Sequence, residues 1–389
     1  MASIEQDYSG VRTNTTAPAA VNAADKTGRR LPSLDLLRGL IVLGMIIVNA
    51  TAAFETVMPN VFPVLLHAKW AGFTAADVVF PAFITIVGIS IAISSKPGQR
   101  AGTSLRKILW RSARLILLGL LLTNMYLPLA PAQLWPPRLT GVLQRIGLVY
   151  AVVAFIYPRT KLRTRALVAA ALLLGYWEIC NFPLPDGSAV DLLSIGRNFP
   201  SWFDRLVSGS WICVKGANGY DPEGVLSTLP AIAQAILGTI AGDYLRRNLP
   251  VRNLSWRFVG AGVVGVALGL AWSPLFPIAK PIWTSSFVLV STGIVMMTLG
   301  VFHNLFDRTD TAMRKGGLLG SFGRNSIAAY SLHLLVIQLM MTPVMQALAR
   351  YAGRVSSPQI GALVPVAVFL TLIWLPMAFM DRRGLYWRI

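Results

Sequence analysis

Three histidines occur in the 389 residues, and one of them, His67, opens the stretch HAKWAGFTAADVVFPAF, with Lys69, Trp70 and Asp77 behind it. An imidazole titrates near neutrality, so it can lift a proton from a substrate or attack as a nucleophile. A carboxylate nearby can orient it. Groups of the same kind recur along the chain: Asn49 closing an apolar run, Gln144 and Arg145 in GVLQRIGLVY, Asp221 and Glu223 in YDPEGVLSTLP, and Lys280 and Trp283 in KPIWTSSFV. A second set is mainly basic: Asp35 and Arg38 in SLDLLRGL, then Arg324, Asn325 and Ser326 in GRNSIAAYSLHLL, with His333 two turns further on. Basic side chains at the N-terminal end of a helix suit a phosphate-bearing ligand. Plainer roles exist for each group. His67 can be a structural hydrogen-bonder, Asp35 and Arg38 can pair on one helix face, and DPEG can be a helix start.

The elements that must hold these groups are set by composition. Only 13% of the residues are charged and 54% are hydrophobic, whereas a soluble domain carries about 25% charged residues. Apolar runs of about 20 residues, long enough to cross a bilayer, recur along the chain. Ten candidate spans result: 34–53, 74–95, 106–126, 141–157, 165–182, 225–245, 257–275, 283–306, 324–343 and 362–380. All must be helices, because an open sheet edge cannot be satisfied in lipid. The expected fold is therefore all-α, a polytopic integral membrane protein of about ten transmembrane helices.

Charge distribution orients the spans. Basic residues cluster at Arg12, Lys26, Arg29 and Arg30, again at Lys96, Arg100, Arg106 and Lys107, and at Arg159, Lys161, Arg163 and Arg165. Further clusters are Arg246, Arg247, Arg252 and Arg257, then Arg308, Arg314, Lys315 and Arg324, and finally Arg382, Arg383 and Arg388. The intervening loops hold few: Lys69, Arg138, three over 183–224, Lys280, and Arg350 with Arg354. The positive-inside rule then puts both termini in the cytoplasm. The net charge of +19 reads as loop asymmetry, and nucleic acid is not an expected partner. His67, Asp77, Gln144, Arg145, Asp221, Glu223, Lys280, Trp283 and Asn49 all fall at the opposite, periplasmic face, as a cleft at the outer ends of helices would need. Cys180 and Cys213 lie there too, where a disulfide is permitted.

Residues 1–32 are polar and lack an apolar signal-peptide core, so they are expected to form a disordered cytoplasmic tail before a single transmembrane domain at 33–389. The segment GAGVVG at 260–265 fits a dinucleotide fingerprint but sits inside an apolar span with no strand before it. With Gly265 and Gly269 it reads as a face for close helix packing. No metal-ligand spacing, phosphate-binding loop or serine-hydrolase elbow is present, and no metal is expected.

In series, SLDLLRGLIVLGMIIVN, HAKWAGFTAADVVFPAF, GVLQRIGLVY, YDPEGVLSTLPAIAQAILGTIAG, KPIWTSSFV, NSIAAYSLH and the closing LYWRI resemble the heparan-α-glucosaminide N-acetyltransferase family of membrane acetyltransferases. The resemblance covers nearly all of the chain after about residue 30. It implies transfer of an acetyl group from cytosolic acetyl-CoA to a glucosamine amine across the membrane. It puts the proposed active-site histidine on His67, with Asn49 and Asp77 as the matching asparagine and aspartate, and sets Arg38 near the CoA entrance. Two departures border the acceptor side: the stretch after Asn49, ATAAFETVMPNVFPVLL, is longer, and the loop between spans five and six is shorter. The acceptor need not be heparan sulfate.

The expectation that follows is an acetyl-CoA-dependent N-acetyltransferase in a bacterial inner membrane. His67, Asn49 and Asp77 are catalytic. Asp221, Glu223, Lys280, Trp283, Gln144 and Arg145 face the acceptor amino sugar. Arg38, Arg324, Asn325, Ser326 and His333 hold the cosubstrate. Membrane lipid surrounds the domain, and the family suggests a homodimer. A sugar or amino-sugar permease, or an O-acetyltransferase of an envelope glycan, remains the alternative, although no two-halves repeat with matched broken helices is evident.

Overall fold

The computed structural model describes residues 31–54, 62–95, 104–125, 138–247, 250–307 and 315–387. The expected disordered tail lies outside them, apart from its last two residues, as do Lys96, Arg100, Arg308, Arg314 and Arg388. Among the described residues the secondary structure is helical, with one isolated bridge between Val214 and Tyr220 and no strand. The helices are α1 (Pro32–Phe54), α2 (Val79–Ser94), α3 (Leu105–Asn124), α4 (Val142–Ile156), α5 (Leu162–Cys180), α6 (Phe199–Ser208), α7 (Thr228–Leu245), α8 (Val251–Trp272), α9 (Ser285–Phe306), α10 (Leu318–Arg324), α11 (Ser326–Val336), α12 (Pro343–Val355) and α13 (Pro358–Arg382).

Each of the ten apolar stretches coincides with one of these helices, or with α11 and the 3-10 turn that follows it. Among the described residues six helices are long and apolar enough to cross a membrane: α1, α2 with the turn before it, α4 with the turn after it, α8, α9 and α13. The count becomes seven if α11 with its 3-10 turn and α12, bent by 68° at Thr342, form one broken span. Pro343 starts the new helix, since a proline cannot continue the hydrogen-bond ladder of the preceding turn. α12 is amphipathic, and Val344, Tyr351 and Val355 stand exposed on it. The sequence had marked α6, inside the long 183–224 loop, only as part of a connection.

Packing depends on small residues where backbones meet. A Cβ on Gly262 of α8 would lie 2.5 Å from the Gly293 carbonyl oxygen of α9, and one on Gly269 would lie 2.8 Å from that of Ser286. The glycine-rich segment is thus a helix-packing face, as its context indicated. Closer to the functional groups, a Cβ on Gly323 of α10 would stand 1.7 Å from the Asp35 carbonyl oxygen, so α10 lies hard against the start of α1. α2 is the central element. Its side chains enter the core shared with α4, α7 and α9 as well as that shared with α1, α8 and α9.

Candidate functional site

His67 and Asp77 belong to the connection between α1 and α2. Asp77 is the third residue of the 3-10 turn Ala75–Val78 that leads into α2, and with Thr74 it forms a capping box. Its Oδ2 accepts from the Thr74 amide at 3.0 Å, the Ala68 amide at 3.3 Å and the Thr74 hydroxyl at 3.0 Å. Its Oδ1 accepts from His67 Nδ1 at 2.8 Å. The Asp77 side chain is 0% exposed and the His67 ring 42% exposed. A buried carboxylate persists only with such partners, and an ionised carboxylate only accepts. The shared hydrogen therefore sits on Nδ1, and His67 Nε2 carries the lone pair.

Trp70 fixes this loop to the segment before α9. Its indole N–H donates to the Leu192 carbonyl at 3.0 Å, and its ring meets Tyr220 edge-on at 5.0 Å. It packs on Ala279 and Ile282, while the Gly72 amide donates to the Ile278 carbonyl at 2.8 Å. Lys69, next to buried Trp70, is exposed.

The 3-10 turn Lys280–Ile282 ends on Trp283, which has φ of 53°. A left-handed tryptophan is costly, and such a residue persists only when its surroundings over-determine it. Here the Trp283 indole N–H donates to Gln234 Oε1 at 3.0 Å, Arg145 lies 5.0 Å from its ring centroid, and Phe80 meets it edge-on at 4.8 Å. Tyr176 donates its hydroxyl to the Ile282 carbonyl at 2.5 Å. Gln234 in turn donates to Thr85, Ser291 and Thr292 at 3.1–3.3 Å. The turn so fixed sets Lys280 Nζ 2.9 Å from His67 Nδ1, 3.0 Å from Nε2 and 3.6 Å from Asp77 Oδ1. Burial pulls the Lys280 ammonium below the ordinary lysine value, against the opposing charges of Asp77 and Glu223.

Asp221 and Glu223 occupy the turn before α7. Arg138 bridges them, donating to Glu223 at 2.9 Å and to Asp221 at 3.4 Å. Thr140 donates to Asp221 at 2.6 Å. Arg145 is buried and ties α4 to this turn, donating to the Gly224 carbonyl at 3.0 Å and to the Ser227 hydroxyl. Gln144 is buried beside it. Asp204 of α6 accepts from the Val225 amide at 3.0 Å, and burial pushes its carboxyl up to about 7. Cys180 and Cys213 are both free thiols.

Of the residues singled out by sequence, His67, Asp77 and Lys280 are thus in mutual contact, and Glu223 acts electrostatically on Lys280. Trp283 and Arg145 are buried behind them as supports of the two turns. Asn49 makes a different contact: its amide donates to His333 Nε2 at 2.8 Å, and His333 Nδ1 donates to the Tyr330 carbonyl at 2.7 Å.

The other end of α2 carries the basic set. Arg38 donates to Asp35 at 3.1 Å and to Ser90 at 2.6 Å. Arg324 makes a two-pronged pair with buried Asp381 at 2.5 Å, so its charge is already matched. Asn325, at the break between α10 and α11, is fully buried, and among the described residues neither its side-chain oxygen nor its nitrogen has a partner. Ser326 follows as the first residue of α11. Asp77 and Ser90 are thirteen residues apart on one element, about 20 Å of axial rise, and Asn49 lies about 16 Å along α1 from Arg38.

Sequence reasoning missed Arg138, Gln234 and Asp381 as participants. A lone amide inside the apolar α7 stretch and a lone carboxylate at the end of the last one were the available signals.

Residues 30–206, which include Arg38, Asn49, His67 and Asp77, match the family described as heparan-alpha-glucosaminide N-acetyltransferase, catalytic. The human heparan-alpha-glucosaminide N-acetyltransferase is 30% identical over 332 residues, covering 72% of this chain and 49% of its own length. That of Mus musculus is 28% identical over 335 residues, covering 72% of this chain and 50% of its own. The chain thus spans about half the length of the curated relatives it matches.

Proposed function

The chain belongs to the heparan-alpha-glucosaminide N-acetyltransferase family, and from that premise we propose that it is a membrane-embedded acetyltransferase with His67 as its reacting base. It moves an acetyl group from acetyl-CoA to the amine of a glucosamine-type sugar. The observation that carries this reading is the bond from His67 Nδ1 to the buried Asp77 carboxylate at 2.8 Å. That bond holds the ring in the tautomer whose Nε2 lone pair is available for chemistry, with the ring itself open to a substrate.

In the reaction His67 Nε2 takes the proton from the acceptor amine as its nitrogen attacks the thioester carbonyl. The C–N bond forms, the C–S bond breaks, and the thiolate is protonated as it leaves. A nucleophilic His67, passing through an acetyl-histidine, is the other route. Asn49 serves as the hydrogen-bond donor to the developing oxyanion, and its link to His333 fixes the amide. Asp221 and Glu223 attract the ammonium form of the acceptor, together with Gln144, Arg145, Lys280 and Trp283 as lining or support of that cleft.

Arg38, Arg324, Asn325, Ser326 and His333 attend the donor. The fit differs among them. The unpartnered buried amide of Asn325 supports a ligand contact, since leaving such a group unsatisfied costs about 1–3 kcal/mol. Arg324 is paired with Asp381, and Arg38 with Asp35 and Ser90, so either guanidinium would meet a phosphate with part of its donors already engaged. The domain has ten spans with both termini in the cytoplasm of a bacterial inner membrane, and the His67 end faces the periplasm.

The test uses purified protein in detergent with labelled acetyl-CoA and glucosamine. Label is expected on the amine, with a loss of about 10²–10⁴-fold in His67→Ala. Undiminished transfer in that variant would remove His67 from the chemistry. Label retained on the protein without acceptor, and lost in the variant, would select the covalent route.

A further inference from the structure

The first half of α3, LRKILWRSAR, holds Arg106, Lys107, Arg111 and Arg114, and the second half, LILLGLLLTN, holds no charge. Ile108, Ser112, Leu115, Gly119 and Leu122 form its buried face. Side chains three or four apart are neighbours on a helix, so Arg106, Trp110 and Arg114 form a line that Leu117 and Leu121 continue. Trp110, Leu117 and Leu121 are 62%, 61% and 63% exposed, so the line points outward. Its leucine end suits acyl chains, which places its basic end at the level of the phosphates. Lys107, Arg111 and Arg114, spaced i, i+4 and i+7 beside that line, are exposed. We propose that these three cations, with Trp110 next to them, form a binding site for the headgroup of an anionic phospholipid in the leaflet at the Arg38 end of the bundle.

The protein supplies these charges with no counter-ion among the described residues. From Val78 to Trp177 the chain contains no aspartate or glutamate. Asp243 of α7, which reaches the end of α4, is taken by Arg165 and by the Tyr157 hydroxyl. Lys107, Arg111 and Arg114 make no hydrogen bond or ion pair to a described residue. Three like charges within two turns repel one another, and a cation on a lipid-facing helix is costly unless it reaches the polar layer. The two guanidiniums touch aromatic rings instead. Arg111 lies 4.7 Å from the ring centroid of Tyr150 on α4, and Arg114 lies 5.8 Å from that of Trp110. The Arg114 side chain therefore runs back toward the start of α3, away from the leucines. Stacking occupies the face of a guanidinium and leaves its edge N–H groups for a two-pronged phosphate contact.

The packing of α3 on α4 sets the leaflet. Ser112 donates its hydroxyl to the Gly147 carbonyl at 2.8 Å. From there α4 runs on to Tyr157, whose hydroxyl accepts from Arg246 at 3.3 Å, and Arg246 also donates to the Ala92 carbonyl at 3.1 Å. Ala92 lies two residues past Ser90, the partner of Arg38. The basic end of α3 thus stands with the Arg38 end of α2. On the loop-charge reading that is the cytoplasmic leaflet, where anionic lipid attracts basic segments. A zwitterionic headgroup would bring its own ammonium against three cations, so the geometry favours a headgroup whose net charge is negative. A free phosphate or a phosphate of CoA shares the anionic chemistry. The outward leucines on the same line favour the phosphate that carries acyl chains.

Two measurements test this, and neither reads acetyl transfer, so their outcome is independent of the transferase reading. In the first, native mass spectrometry follows the detergent-purified protein titrated with phosphatidylglycerol or phosphatidylcholine. Phosphatidylglycerol is expected to bind more tightly. Its affinity is expected to fall about fivefold for each cation removed, about 10²-fold in Lys107→Gln/Arg111→Gln/Arg114→Gln. Lys161→Gln/Arg163→Gln/Arg252→Gln removes as many charges from the same end and is expected to bind as wild type does. Equal loss in that control, or equal binding of the two lipids by wild type, overturns the site. The second measurement needs no variant. The wild-type protein is placed in vesicles containing phosphatidylglycerol with a photoreactive headgroup. Crosslinks are expected within residues 105–114, suppressed by excess phosphatidylglycerol and not by phosphatidylcholine, inorganic phosphate or CoA. Crosslinks confined to other segments overturn the proposal. So does suppression by inorganic phosphate or CoA, which would make this a site for a soluble phosphate and not for lipid.

Discussion

Asp77 illustrates how one buried side chain sets the chemistry of its neighbour. Its Oδ2 is occupied by the Thr74 and Ala68 amides, so Oδ1 is left for His67 Nδ1. Asp77→Asn would keep the shape of the group but can turn a donor toward Nδ1, which reverses the tautomer and puts a hydrogen on Nε2. The expected result is a kcat lower by about 10²–10⁴-fold, with thermal stability reduced by about 1–3 kcal/mol for the disturbed network. His67→Gln should lose a similar factor in kcat with little change in stability, because its ring is half-exposed. Steady-state kinetics and thermal unfolding in detergent measure both, and a wild-type kcat in Asp77→Asn would exclude the tautomer argument. The His67–Asp77 pair was legible in the sequence because its two members share one short connection. The contact with Lys280 was not, since the pairing of two distant turns depends on which helices are neighbours. The bond between the Asn49 amide and His333 was illegible for the same reason.

At the scale of elements, the apolar runs were easy to read because lipid demands continuous hydrophobicity. The breaks were harder. Residues 324–343 read as one span, but α11 stops at Val336 and α12 leaves at 68° beyond Thr342. α6 was hidden for the opposite reason: it is short and amphipathic, and a polar loop masks such a helix. That helix carries Asp204, which anchors the turn of Asp221 and Glu223 through the Val225 amide. Burial raises its carboxyl to about 7, against the pull of the Val225 amide and of Arg145 and Arg205. The folded value lies above the unfolded one, so the unfolded chain releases this proton first as pH rises. The stability that the protonated Asp204 contributes is therefore present in acid and lost as pH passes through about 7. The melting temperature is expected to fall between about pH 4 and pH 7 and to level off above that, and Asp204→Asn should flatten that fall. An identical pH dependence in the variant would show that another group titrates there.

For the whole molecule, the two groups of polar residues sit at opposite ends of α2, about 20 Å apart along its axis. Apolar side chains such as Leu117, Leu121, Leu167, Val264 and Phe379 are exposed on the intervening helices, as a lipid-facing surface requires. If the donor is held at the Arg38 end and the acceptor meets His67 at the other, acetyl transfer should couple the two sides of a membrane. In proteoliposomes, labelled acetyl-CoA is supplied outside and glucosamine is enclosed within. Orientation is read from an impermeant maleimide on Lys69→Cys, an exposed site on the His67 loop. Native background is low, because Cys180 is buried and burial pushes the Cys213 thiol up to about 11, which keeps it protonated at neutral pH. Enclosed glucosamine should gain label in the vesicle fraction whose Lys69→Cys is shielded from the maleimide, and not in the fraction where it reacts. Transfer that proceeds only with both substrates on the same face would confine the chemistry to one end of α2 and separate the Arg38 end from catalysis.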